Sequence, residues 1–337
     1  MVFKNPVNHK KLDEYIDLCT KSKQVINITK KINNLADLIE LGKSYDETCE
    51  YNYDIKILSN LVPSLTELNN MIGMKNVKTE IVDHILFYIQ KLDDKNNDML
   101  HTIIEGPPGV GKTELAKILS KIYVSMGILS NNKIIKADRS MLIGQYLGQT
   151  APKTQKVIDS AIGGVLFIDE VYSLGNSEKK DSYAKECIDT INENLTEKKT
   201  EFICIIAGYK DEIENCFLSY NKGLERRFPV RFSINSYTPE ELYLIFKKKV
   251  YDNNWKLDKN ITEQFFIDNY KYFQNYGGDM EILFSRSKRM YSRRVFLTNN
   301  NTKILIIDDI EKGFAKQKEN KSTKIDSDNE NWKNMFL

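Results

Sequence analysis

Apolar residues follow two rhythms along this chain. Near the start, Leu12, Tyr15, Ile16 and Cys19 recur at three- and four-residue steps, as on one face of a helix, and Ile32, Leu35, Leu38 and Ile39 repeat the pattern. From about residue 66 to 236 short strand-like apolar runs take over: His101–Glu105, Lys133–Lys136, Val165–Ile168, Phe202–Ile206 and Val230–Ile234, with helical stretches between them. Short apolar runs separated by helices predict a parallel α/β sheet of five strands with helices on both sides, and Val165–Ile168, apolar at all four positions, is a strand covered on both faces. Ligands of such sheets bind beyond the carboxyl ends of the strands.

After 236 the helical rhythm returns. Thr238-Pro239-Glu240-Glu241 opens a helix with a capping box and a proline in the first turn, and Leu242, Ile245, Phe246 and Val250 form its apolar stripe. Further helices are expected near 261–274, 279–297 and 306–316. Four segments follow: a helical region over 1–65, an α/β unit over 66–236, an all-helical unit over 237–316, and a polar tail over 317–337 expected to be disordered apart from apolar Trp332, Phe336 and Leu337.

Charge adds little, because 49 basic and 47 acidic residues leave a net +2. Nothing in that balance demands nucleic acid. The five cysteines have no CxxC spacing and the three histidines lie far apart, which reads as reduced thiols and no zinc site. No signal-peptide core and no apolar run of membrane-spanning length is present, so a cytoplasmic or nuclear setting is expected.

The strongest chemical signal is Gly106-Pro107-Pro108-Gly109-Val110-Gly111-Lys112-Thr113, a GxxxxGK[ST] loop between a strand and an amphipathic helix. Its glycines let backbone N–H groups turn toward phosphate oxygens, and the helix that follows through Glu114 adds its positive end. Lys112 neutralises the outer phosphates of ATP and Thr113 ligates Mg²⁺. A second strand, Val165–Ile168, ends in Asp169-Glu170. Asp169 suits the Mg²⁺ ion and Glu170 suits a base that orients and deprotonates the attacking water.

Longer strings narrow this further. Gly144-Gln-Tyr-Leu-Gly-Gln-Thr-Ala-Pro-Lys-Thr154 and Ala161-Ile-Gly-Gly-Val-Leu-Phe-Ile-Asp-Glu170 closely resemble the AAA+ subfamily of the red-type rubisco activase CbbX and stage V sporulation protein K. Met71–Lys78, Ala184–Thr190 and Ala207-Gly208-Tyr209 match it too, so the resemblance covers about 66–300. It implies an AAA+ P-loop NTPase module with a helical lid, ATP hydrolysis, and a ring of six subunits.

The resemblance also implies a pore loop at Tyr146, Leu147 and Gly148, and an arginine finger reaching a neighbour's ATP at Arg227, with Arg226 in reserve. Two positions depart from the family. The lid arginine falls on Glu281, with Arg286 five residues on, and the polar residue after the fourth strand falls on Tyr209. ATP binding is untouched by these changes, whereas hydrolysis rate and lid coupling are placed in question. The reading is an ATP-driven remodeller of an unknown protein client. The alternatives are a nucleic-acid motor using Arg286, Lys288, Arg289, Arg293 and Arg294, and an ATP-dependent assembly switch that does not hydrolyse. Nothing in the sequence specifies rubisco as the client.

Overall fold

The computed structural model describes residues 24–94, 98–176, 178, 181–296 and 302–318. The helix face of Leu12, Tyr15, Ile16 and Cys19, and the tail residues Trp332, Phe336 and Leu337, lie outside them.

The chain enters through β1 (Gln24–Ile26), α1 (Leu35–Lys43) and β2 (Cys49–Tyr51), with β1 and β2 paired in parallel. Asn34 and Asp37 close a reciprocal capping box at the start of α1, a device worth about 1 kcal/mol. Next comes α2 (Ile55–Asn69), whose Ile55, Leu58, Leu61, Leu65 and Leu68 are all buried. That stripe runs straight through residue 65, so the boundary expected there falls inside a continuous helix. Truncating one of these leucines to alanine costs about 2–5 kcal/mol. Gly42 lets α1 and α2 close up, since a Cβ there would lie 2.6 Å from the carbonyl oxygen of Leu58.

The central unit follows: α3 (Lys75–Ile89), β3 (Thr102–Glu105), α4 (Lys112–Ser125), β4 (Ile134–Ala137), α5 (Thr150–Ser160), β5 (Val165–Ile168), α6 (Ser182–Glu197), β6 (Ile203–Gly208), α7 (Lys210–Cys216) and β7 (Val230–Ser233). The sheet order is β4-β5-β6-β3-β7 and every pairing is parallel. Alternation along each strand divides it between two cores. Val165 and Phe167 join Ile203, Ile205 and Phe232 beneath α2, α3 and α4. Leu166 and Ile168 join Cys204, Ile206, Ile158, Ile188 and Ile191 beneath α5 and α6. The apolar run in the sequence is thus a strand with two buried faces.

The last part holds α8 (Pro239–Asp252), β8 (Lys256–Leu257), α9 (Gln264–Asn269), α10 (Tyr276–Val295), β9 (Ile304–Leu305) and α11 (307–318). The Thr238/Glu241 capping box and the proline in the first turn are present. The region is not purely helical, because β8 and β9 make a two-residue parallel pair, and α11 continues two residues past 316. Its interior is aromatic: Phe246, Phe266, Phe273 and Phe284 are buried, and Trp255 meets Tyr291 edge-on at 4.9 Å.

Candidate functional site

The phosphate loop hangs between β3 and α4. Gly106, Gly109 and Gly111 take φ values of +155°, +71° and +94°, which side chains with a Cβ rarely adopt. Lys112 turns its ammonium back across the loop, donating to the carbonyl oxygens of Gly106 at 2.7 Å and Pro107 at 2.8 Å. Burial lowers its pKa, opposed by the charges of Asp169 and Glu170. Behind the loop Val110 is fully buried, and its carbonyl oxygen accepts the phenol of Tyr237 at 2.7 Å. Burial, and then the nearby Glu241 charge, push that phenol up to about 12, so it stays a donor.

β5 delivers the acid pair beside this loop. Thr113 Oγ1 donates to Asp169 Oδ2 at 3.2 Å, and Lys136 Nζ lies 3.1 Å from the same oxygen. Glu170 is exposed and sits in the left-handed region at φ +50°, ψ +47°, where its carbonyl accepts the N–H of Ser173. Gly109, Gly111, Lys112, Thr113, Glu114, Asp169 and Glu170 line one cleft of about 390 Å³ together with Tyr172, Gly208 and Tyr209. Gly106, Pro107 and Val110 support it from behind through their carbonyls. Thr113 and Asp169 offer two adjacent hard oxygens, which fits Mg²⁺. No cluster of three or more His, Cys, Asp or Glu side chains that could hold a metal occurs among the described residues, so phosphate and water would complete the shell.

Two aromatic residues wall the cleft. The rings of Tyr172 and Tyr209 stack with centroids 5.7 Å apart, and Lys112 Nζ lies 5.3 Å from the centroid of Tyr209. Gly208 permits the approach, because a Cβ there would sit 2.9 Å from the Tyr172 ring. Burial and then the Glu170 charge push the Tyr172 phenol up to about 12.

From the other side the first turn of α10 touches the loop. The N–H of Gly277 donates to the carbonyl oxygen of Gly109 at 3.0 Å. Glu281 does not line the cleft: its carboxylate lies 3.1 Å from Lys249 Nζ on α8. Arg286 does not line it either.

Tyr146 and Leu147 stand out from the surface with 69% and 82% exposure, on a loop where Gly148 takes φ +77°. Arg226 and Arg227 end a single helical turn, Leu224–Arg227, and neither lines the chain's own phosphate cleft. Arg227 donates to Thr196 Oγ1 at 2.7 Å and to the carbonyl of Gly223 at 2.8 Å. Arg226 is exposed beside a larger cavity, about 780 Å³, at the amino ends of β3, β6 and β7. That cavity is walled by Ile122, Tyr123, Phe202 and Phe232, whereas Lys112, Thr113, Asp169 and Glu170 line the smaller cleft. Sequence reasoning missed Tyr172, Lys136 and Tyr237. Only the first left a signal, a tyrosine two residues past the acid pair.

The sheet order, the glycine loop and the acid pair define a P-loop ATPase of the AAA class. Residues 102–234 match the family model described as "ATPase family associated with various cellular activities (AAA)". A putative cfxQ-like protein, R730, of Acanthamoeba polyphaga mimivirus is 46% identical over 291 residues, 84% of this chain and 72% of that one. The chloroplastic ribulose bisphosphate carboxylase/oxygenase activase of Cyanidioschyzon merolae is 34% identical over 58% of this chain and 68% of its own length. Among solved structures, the RuvB Holliday junction branch migration motor of Thermotoga maritima superposes with a TM-score of 0.52 at 19% identity, over 74% of this chain and 70% of that one, a likeness of fold alone. The chain belongs to the AAA family of ATPases, in the subfamily of the CbbX-type activases and stage V sporulation protein K, and it is a nucleotide-binding ATP hydrolase.

Proposed function

We propose that this chain works as a homohexameric ring in the cytoplasm or nucleus that uses ATP hydrolysis to remodel a protein client drawn against its central pore. The observation that carries the client side of this reading is the exposure of Tyr146 and Leu147. Two adjacent large apolar side chains held in solvent on a loop that turns at Gly148 suit transient contact with an extended chain. The free thiols of Cys49, Cys187, Cys204 and Cys216 favour the reducing compartment.

The fuel cycle assigns one task to each cleft residue. Backbone N–H groups of the loop and the ammonium of Lys112 hold the phosphates. Thr113 and Asp169 hold Mg²⁺, which when bound offsets charge on the phosphate oxygens. Glu170 accepts a proton from water as the water oxygen attacks the γ-phosphorus and the bond to the ADP oxygen breaks. Arg227, with Arg226 in reserve, reaches the nucleotide of the neighbouring subunit and steadies the developing charge.

A nucleic-acid motor is the weaker reading. The basic set on α10 is partly consumed inside the chain, with Arg294 paired to buried Asp309 at 2.8 Å and Lys288 lying 4.5 Å over the ring of Phe284.

Steady-state ATPase activity measured against protein concentration, with Lys112→Ala as the blank, tests the ring. A finger supplied in trans makes activity per subunit rise as subunits assemble. Activity that is flat with concentration rejects the trans finger, and nucleotide binding without turnover at any concentration favours the assembly switch.

A further inference from the structure

We propose that Lys136 is a tethered counter-cation of the ATP site, which competes with the divalent ion for Asp169 and so sets how much Mg²⁺ nucleotide binding requires. The inference rests on the reading that Thr113 and Asp169 hold that ion.

The placement follows from strand register. Lys136 on β4 is paired with Phe167 on β5, and Asp169 lies two residues further along, on the same face of the sheet. Lys136 Nζ lies over the Phe167 ring, 5.9 Å from its centroid, and 3.1 Å from Asp169 Oδ2. That oxygen already accepts the hydroxyl of Thr113 at 3.2 Å. That oxygen has two lone-pair positions, both taken, so a metal ion bound through Oδ2 displaces one of the two partners, and an ion bound through Oδ1 still shares the carboxylate's charge with the ammonium. Thr113 is itself a ligand in this reading, which leaves the ammonium as the group that yields. The pair is solvent-screened, with 59% exposure on the lysine side chain and 24% on the aspartate. The competition is therefore a modest one, on the order of threefold in the ion concentration required.

The test is the anisotropy of a fluorescent ADP analogue bound to the full chain, titrated with Mg²⁺. Lys136→Met keeps an unbranched apolar stem beside Phe167 and removes the charge. Its Mg²⁺ midpoint should fall about threefold, while affinity at saturating Mg²⁺ stays at the wild-type value. Lys136→Arg should keep the wild-type midpoint, and Lys136→Gln serves as a second uncharged variant if methionine disturbs folding. A midpoint unchanged or raised in both uncharged variants overturns the proposal. Asp169→Asn separates this from the parent reading: if it responds to Mg²⁺ like wild type, the metal assignment itself falls, and the role of Lys136 with it.

Discussion

Gly277 donates its amide N–H to the carbonyl oxygen of Gly109 across 3.0 Å, so the helical lid meets the phosphate loop backbone to backbone. Nothing larger than hydrogen fits on the loop side, because a Cβ on Gly109 would lie 2.0 Å from the carbonyl oxygen of Asn275. Gly109→Ala should therefore push the lid away and weaken nucleotide binding about tenfold, beyond the roughly 1–3 kcal/mol cost of strained backbone. Gly127→Ala is the control: it has φ +75° with no atom within 4 Å of the added Cβ. It should lower the melting temperature and leave nucleotide affinity alone. Equal affinity losses in both variants would remove the lid contact from the explanation.

His101 is fully buried, with Nε2 3.0 Å from the carbonyl of Leu195 and Nδ1 accepting the N–H of Cys204 at 3.0 Å. This arrangement needs the neutral ring with its proton on Nε2, and burial lowers its pKa from 6.5 to about 4. Between those values the unfolded chain binds the extra proton and the folded chain does not. Stability is complete above pH 6.5 and declines as pH falls toward about 4, by a total of about 3 kcal/mol. Denaturant titrations from pH 7.5 to 4 should show that slope, and His101→Gln, less stable at pH 7.5, should lack its share of it.

The Tyr172–Tyr209 stack predicts different outcomes for two substitutions. Tyr209→Phe preserves the ring beneath Lys112 and should change nucleotide affinity less than twofold, whereas Tyr209→Leu removes the cation–π contact and should weaken it about fivefold. If the phenol itself orients water, Tyr209→Phe will lower kcat with KM unchanged. The two readouts thus assign ring and hydroxyl separately.

Tyr146→Ala should leave both stability and basal ATPase activity near wild type, since an exposed loop residue contributes within about 0.5 kcal/mol. Unfolding of a protein client should fall at least tenfold. A parallel loss of basal activity would mean that the loop acts on the nucleotide and not on the client.

The five strands of the sheet were readable within one or two residues: β3, β5 and β6 are buried on both faces, and the edge strands β4 and β7 keep short apolar stretches interrupted by Lys136, Arg231 and Ser233. The phosphate loop and acid pair were readable because their chemistry is local in sequence. Tyr172 and Tyr209 stand 37 positions apart and meet only through the sheet, as do Lys136 and Asp169, so no spacing rule announces either pair. The helix through residue 65 was lost for another reason. The stripe of α2 is amphipathic and spans what looked like a change of composition, and its packing against α3 and α4 ties it to the ATPase core. Glu281 stood out by family pattern, and its partner Lys249 lies on the neighbouring lid helix, 32 positions away.

The aromatic packing of the lid gives the contact at Gly109 a mechanical reach. α10 has 20 residues, and its first turn rests on the phosphate loop while Phe246, Phe266, Phe284 and Trp255 clamp the rest into one body. At 1.5 Å per residue it is a beam of about 30 Å, so a tilt of about ten degrees at its Gly277 end sweeps the other end through roughly 5 Å. A change in the loop that tilted this helix by that amount would therefore be felt at its far end as a displacement comparable to one helical turn.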